Sequence, residues 1–163
     1  MRIKRRYHLR KSAVKELGVE LISRFGESAR SLLKDPIETM ELESGREIIL
    51  ANGKPVAFRT PEGLFPSLNS LDALPLKRVT VNAGAIKPIS NGANIMAPGI
   101  VKVDEDIVRG DVVVITDERY GKPLAVGVAL VDSRFLKGSK GRVIRNLHHI
   151  GDEVWNLTKQ GRD

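Results

Sequence analysis

The chain has 163 residues, with 27 Lys plus Arg against 20 Asp plus Glu, 41% apolar residues and no cysteine. That length suits one ordinary domain or two small lobes, and the lack of cysteine excludes a disulfide framework, thiolate metal sites and a thiol nucleophile. A net charge of +7 favours a polyanionic partner, nucleic acid first. No apolar run approaches the roughly 18 residues of a spanning helix, so the chain reads as cytoplasmic with no membrane partner.

In chain order, the first feature is charge. Arg2 to Lys15 holds seven basic residues and no acid. Lys4, Arg5, Arg6, Arg10 and Lys11 make a candidate basic arm, the alternative being a frayed terminus. From Ser12, a fair N-cap with Glu16 in the first turn, the residues Val14, Leu17, Leu21, Ile22, Phe25, Ala29, Leu32 and Leu33 recur at steps of three and four, which predicts one buried helical stripe. Gly26 predicts a break near residues 25–28, and Asp35-Pro36 ends the stripe. Asn52-Gly53 between Glu47–Leu50 and Pro55–Phe58 predicts a β-hairpin, and Leu68, Leu71 and Leu74 a short helix stopped at Pro75.

Past Pro75 the chain turns mostly β. Strands are predicted at Lys77–Val81, Asp111–Thr116, Leu124–Val131 and Val143–His148, with Val154–Leu157 as a last one. Short strands with Gly and Pro turns indicate a small barrel or sandwich. A domain boundary therefore falls near Pro75, giving an α+β lobe over residues 1–75 and a β-rich lobe over 76–163 that ends in a short tail. The two are expected to pack on one another. A second stretch without acids contains Arg134, Lys137, Lys140, Arg142 and Arg145, a candidate phosphate footprint.

The constellations of catalysis are missing from the sequence. It has no P-loop, no GxGxxG after a strand, no HExxH and no GxSxG. His148 and His149 are adjacent on a strand and face opposite ways, so they cannot share a metal, and Asp104-Glu105-Asp106 reads as a solvated turn. The expectation is no catalytic residue, no metal and no cofactor. What stands out is Val79 to Ile100. There a strand runs into Gly84-Ala85, a helical turn carries Lys87 outward, Ser90-Asn91-Gly92 ends it, and Asn94 leads into a second short strand. Backbone N–H groups beside a lysine suit a phosphate or a nucleotide edge.

This segment, with its Gly-Ala turn and Gly92-Ala93-Asn94-Ile95-Met96-Ala97-Pro98-Gly99, resembles the opening of the PUA domain, an RNA-binding pseudo-barrel. Residues 77–157 look like the whole module. Together with Asn52–Arg59 and Glu62–Leu68 upstream, the chain resembles the malignant T-cell amplified sequence family and the related N-terminal half of ligatin. Ala97 stands where the eukaryotic pattern has Cys, and the shorter turn and missing Cys point to an archaeal member. The resemblance implies a pre-PUA lobe packed on a C-terminal PUA pseudo-barrel. It also implies a role as translation accessory on the small ribosomal subunit, on initiator tRNA or on both, in initiation, re-initiation or recycling, with a SUI-type initiation-factor partner that this chain lacks. A non-catalytic tRNA-binding accessory to a modification enzyme is the alternative. Carried onto this chain, the RNA surface comprises Gly84, Ala85, Lys87, Ser90, Asn91, Gly92, Asn94, Met96, Arg142 and Arg145. Gly84 would permit backbone approach, while Gly92 and Met96 read equally well as a helix terminator and a core side chain. With seven aromatic residues in the chain, stacking platforms are not expected.

Overall fold

The basic N-terminal run is a paired strand, not a frayed end. In a computed structural model, which describes residues 1–160, Ile3–His8 forms β1 and α1 spans Lys11–Phe25. The sheet continues through β2 (Ile37–Leu42), β3 (Glu47–Ala51), β4 (Lys54–Thr60) and β5 (Gly63–Pro66), an antiparallel meander in sequential order. Arg5 and Arg6 each make a two-pronged ion pair across the β1–β2 ladder, to Glu41 (2.6 and 3.2 Å) and Glu38 (2.9 and 3.0 Å). These pairs fix the strand and neutralise two of the five arm residues.

Helix α1 starts two residues earlier than Ser12 as N-cap implies. Arg10 occupies the N-cap position without a side-chain cap, and no acid lies in the first turn. The apolar stripe is as expected: Leu17, Leu21 and Phe25 are buried, and after the break at Gly26 (φ +92°) a 3₁₀ turn over Glu27–Leu32 buries Ala29 and Leu32. At the β3–β4 hairpin Asn52 and Gly53 both take positive φ, 50° and 78°, the backbone of the turn that Asn-Gly favours. Leu68–Ala73 is a 3₁₀ helix, tied to β4 because Ser67 and Ser70 donate to the Pro55 and Val56 carbonyls at 2.9 and 2.6 Å.

The second unit, Leu76–Asp152, contains β6 (Lys77–Val81), α2 (Ala83–Ser90), β7 (Ile95–Met96) and β8 (Ile100–Val103). It continues with β9 (Val112–Asp117), β10 (Pro123–Ala129) and β11 (Arg142–His149). The sheet order is β7-β11-β10-β9-β6-β8, with β6 and β9 parallel. Its two edge strands, β7 and β8, are joined by Ala97-Pro98-Gly99 alone. That link spans at most about 14 Å, whereas the edges of a flat six-stranded sheet lie about 24 Å apart. The sheet therefore curls on itself, around a core that includes Val79, Ile89, Ile95, Ile115, Ala125 and Ile144. Gly127 lets β10 and β11 come close, because a Cβ there would sit 2.6 Å from the Arg145 carbonyl oxygen.

Two expectations are corrected. Val154–Leu157 is not a strand. It lies in a helix, α3 (Glu153–Gln160), where Val154 and Leu157, three residues apart, are buried on one side. Nor does this stretch behave as a tail of the second lobe, for α3 packs on β4 and clusters with Met1–Pro75. Glu153 fastens it there, accepting from Ser44 at 2.9 Å with Arg46 3.7 Å away. The last three residues of the expected 76–163 span lie outside the described residues. No helix among the described residues is long and apolar enough to cross a membrane.

Candidate nucleic-acid interface

Helix α2 begins because Asn82 caps it: its Oδ1 accepts from the Ala85 N–H at 3.2 Å, and its own N–H donates to the Gly99 carbonyl. The helix ends at Asn91, and Gly92 at φ +92° reverses the chain. A Cβ on Gly92 would come within 3.3 Å of His149 Nε2. Asn146 on β11 then holds the turn in place. Its Nδ2 donates to the Ile89 and Ala93 carbonyls at 3.1 and 2.9 Å, while its backbone N–H donates to Asn94 Oδ1 at 3.0 Å.

Between α2 and β7 this scaffold leaves an open cavity of about 300 Å³, apolar in most of its lining, with Pro88, Ile89, Ile95 and Met96 among its walls. Asn82, Gly84, Ala85 and Asn94 also line it. Both asparagines spend their Oδ1 on a backbone N–H, which leaves the NH₂ of each as its remaining side-chain hydrogen-bonding group. Pro88 lies inside α2 and has no N–H for the Gly84 carbonyl.

The basic loop adjoins this cavity. Arg142, at the start of β11, sits opposite Met96 on β7, and the Ala97 N–H donates to Gly141 O at 2.9 Å. Arg134, Lys137, Lys140 and Arg142 are all exposed. The Arg134 guanidinium lies 4.8 Å from the Phe135 ring centroid, and Phe135 is itself exposed.

Placed on the structure, the residues proposed from the sequence divide into groups. Gly84, Ala85 and Asn94 reach the cavity, and Lys87 is exposed on α2. Asn91 and Gly92 form the exposed helix end, while the Ser90 Oγ is buried without a partner. Arg145 is half-buried within β11. Gly84 is not needed for a special backbone angle; it sits in the first turn of α2, where a Cβ would meet only Asn82 Oδ1 at 3.4 Å. Met96 is not core: it is 49% exposed at the cavity rim, because alternation on β7 sends Ile95 inward and Met96 outward. Pro88, Pro98 and Phe135 were not singled out in the sequence; only an Arg-Phe pair inside an acid-free loop hinted at the last. Lys4, Arg10 and Lys11 are exposed on the first unit, Arg5 and Arg6 being paired there.

Among the described residues no cluster of three His, Asp or Glu side chains is placed to hold a metal. His148 is buried and bonds Asp152 Oδ2 through Nδ1 at 2.8 Å. Asp104 of the acidic turn accepts from the Arg78 N–H at 2.7 Å. Asp117 is held below the usual carboxylate range chiefly by the Tyr120 N–H, 2.6 Å away. These groups organise turns.

A curled six-stranded sheet with a capped helix over one seam is the architecture of a PUA domain, an RNA-binding module, and residues 77–151 match the family model described as the PUA domain. Over longer stretches the chain is 41% identical to an uncharacterized protein of Methanocaldococcus jannaschii (96% of this chain, 99% of that one). It is 32% identical to Translation machinery-associated protein 20 of Saccharomyces cerevisiae (77% and 74%). Identity to Malignant T-cell-amplified sequence 1-B of Xenopus laevis is also 32% (91% and 89%). Similar solved structures include two from archaea. A hypothetical protein of Pyrococcus horikoshii gives TM-score 0.78 at 38% identity over 94% of this chain and 99% of that one. A PUA domain protein of Aeropyrum pernix gives 0.77 at 28% over 98% and 97%. The chain belongs to the malignant T-cell-amplified sequence family.

Proposed function

We propose that the chain binds RNA through the α2–β7 cavity and the adjoining loop, and serves as a non-catalytic translation accessory on the small ribosomal subunit or with initiator tRNA. The observation that carries the binding mode is the pairing of a mostly apolar cavity lined by Asn82 and Asn94 with a flanking stretch of exposed cations, Arg134, Lys137, Lys140 and Arg142, that holds no acid. Such a cavity accepts the face of a base or sugar and selects for acceptor atoms, keto groups or phosphate oxygens. Lys87, Lys137, Lys140 and Arg142 then neutralise the backbone on either side. The translation role rests on the relatives, one of which is named as associated with the translation machinery.

Reversing Lys87, Lys137 and Arg142 to Glu tests the surface. Each lost phosphate contact lowers the slope of log K against log salt by about 0.7 on a single strand, so the triple variant should lose about two units of slope. Reversing Lys34, Lys54 and Lys102, exposed residues away from the cavity, should cost much less. Equal losses would reduce the binding to diffuse attraction. Mass spectrometry of tRNA and ribosomal RNA incubated with the protein should show every nucleotide unaltered, and co-sedimentation with small subunits should be lost in the first triple variant. Subunit binding that survives there would place the contact elsewhere, with Lys4, Arg10 and Lys11 as the next residues to reverse.

A further inference from the structure

The first unit has a concavity of its own, about 210 Å³, below the roughly 300–1,000 Å³ of sites for drug-sized ligands. It lies beside α1, with Leu17 and Ile49 as apolar lining and Thr39 contributed by β2. Thr39 is completely buried and its hydroxyl has no hydrogen-bond partner. Three carboxylates, Glu16, Glu20 and Glu47, also line the space, against one cation, Arg59. That cation is consumed, for Arg59 grips Glu20 with two bonds of 2.8 Å. Glu16 and Glu47 are left without an ion-pair partner among the described residues. The field of Glu47 is felt nearby: the Tyr7 phenol is pushed up first by burial and second by the Glu47 charge.

We propose that this concavity binds a primary alkylammonium group, supplied by a free diamine or polyamine or by a lysine side chain of another protein. An ammonium carries three donors on a compact centre, which matches two open carboxylates and one unused hydroxyl. A guanidinium instead favours a flat, two-pronged match to one carboxylate, and here that geometry is already taken by Arg59 and Glu20. The alkyl stem would lie along Leu17 and Ile49, as lysine stems do on apolar surface. A metal is not the match, since the described residues include no cluster of metal ligands. The whole chain carries +7 and repels small cations at long range, so stoichiometric amine binding requires a local site of this kind.

The test is calorimetric titration of the RNA-free full chain with putrescine, spermidine, Nα-acetyl-lysine methylamide and, as neutral control, 1,4-butanediol. The expected result is one-to-one binding of an amine, weakened about tenfold by Glu47→Gln and by Glu16→Gln, and unchanged by Glu43→Gln, an exposed acid that does not line the site. Putrescine or spermidine binding more tightly than the lysine derivative identifies a free amine as the ligand; the reverse order identifies a partner's lysine. Thr39→Val should also weaken binding. Because Thr39 is buried, the two glutamate variants, at accessible positions and with unchanged melting temperature, decide the matter. No heat from any amine, equal affinity in Glu47→Gln, or comparable binding of the diol would overturn the proposal.

Discussion

At the scale of single residues, the second unit depends on asparagines that bond backbone. Asn82 shows how stability and binding separate. Replacing it with Asp keeps an oxygen for the Ala85 N–H, and Asp is as good an N-cap as Asn, so stability should stay within about 0.5 kcal/mol of the parent, with little change in melting temperature. The NH₂ donor is lost, however, and a negative charge appears in the cavity, so RNA affinity should fall severalfold; equal affinity would remove Asn82 from the interface. Asn146→Ala works the other way. It deletes two bonds to the Ile89 and Ala93 carbonyls, but also an Oδ1 that is buried with no partner. The net cost should sit near the low end of the range, about 1 kcal/mol, readable as a shift of the urea midpoint. The Gly-Ala and Ser-Asn-Gly signals made α2 and its end legible in the sequence. Asn146 was not legible, because its role comes from β11 lying across the turn.

Elements show the same division between local and tertiary signals. The hairpin at Asn52-Gly53 and the α1 stripe were legible because turn chemistry and periodicity are local. Strand β1 was not: its Arg and Lys residues read as an arm until Glu41 on β2 is seen opposite Arg5 and Glu38, diagonally across the ladder, in ion-pair contact with Arg6. Strand β2 itself, Ile37-Glu38-Thr39-Met40-Glu41-Leu42, breaks strict alternation by burying both Thr39 and Met40. The β1–β2 ladder makes a pH prediction. Glu38 is held below the ordinary glutamate range chiefly by its hydrogen bond to Arg6, as Glu20 is by Arg59. A carboxylate lowered in the folded state stabilises above its unfolded pKa, about 4.3, and loses that contribution as the pH falls through the folded value. Stability should therefore be flat in these groups from pH 7 to about 5 and decline below about 4.3. Glu38→Gln should lower stability at pH 7 by no more than about 1 kcal/mol, read as a small drop of the urea midpoint, and give a shallower decline toward pH 3. An identical acid limb in parent and variant would show that the pair contributes nothing.

For the whole molecule, the decisive fact is that the chain leaves the first unit at Pro75 and comes back to it at Glu153. The Pro75 boundary was legible in the change from helical to strand composition. The return was not, because Val154-Trp155-Asn156-Leu157 is β-prone by residue type, and only its seat on β4 makes it helical. A fragmentation prediction follows from this topology. Residues 76–152 contain every strand partner of the curled sheet and the whole of its core cluster, so expressed alone they should melt cooperatively and keep RNA binding with its salt slope. Residues 1–75 alone lack α3, and with it the cover that Val154 and Leu157, buried in the intact chain, provide. A unit of this size has little core to spare, so the fragment should aggregate or melt broadly. Joining residues 1–75 to 153–163 through a short Gly-Ser linker should restore a sharp transition by circular dichroism. If residues 1–75 alone melt as sharply, and as high, as the linked chain, α3 is an ornament on the first unit and not part of its fold.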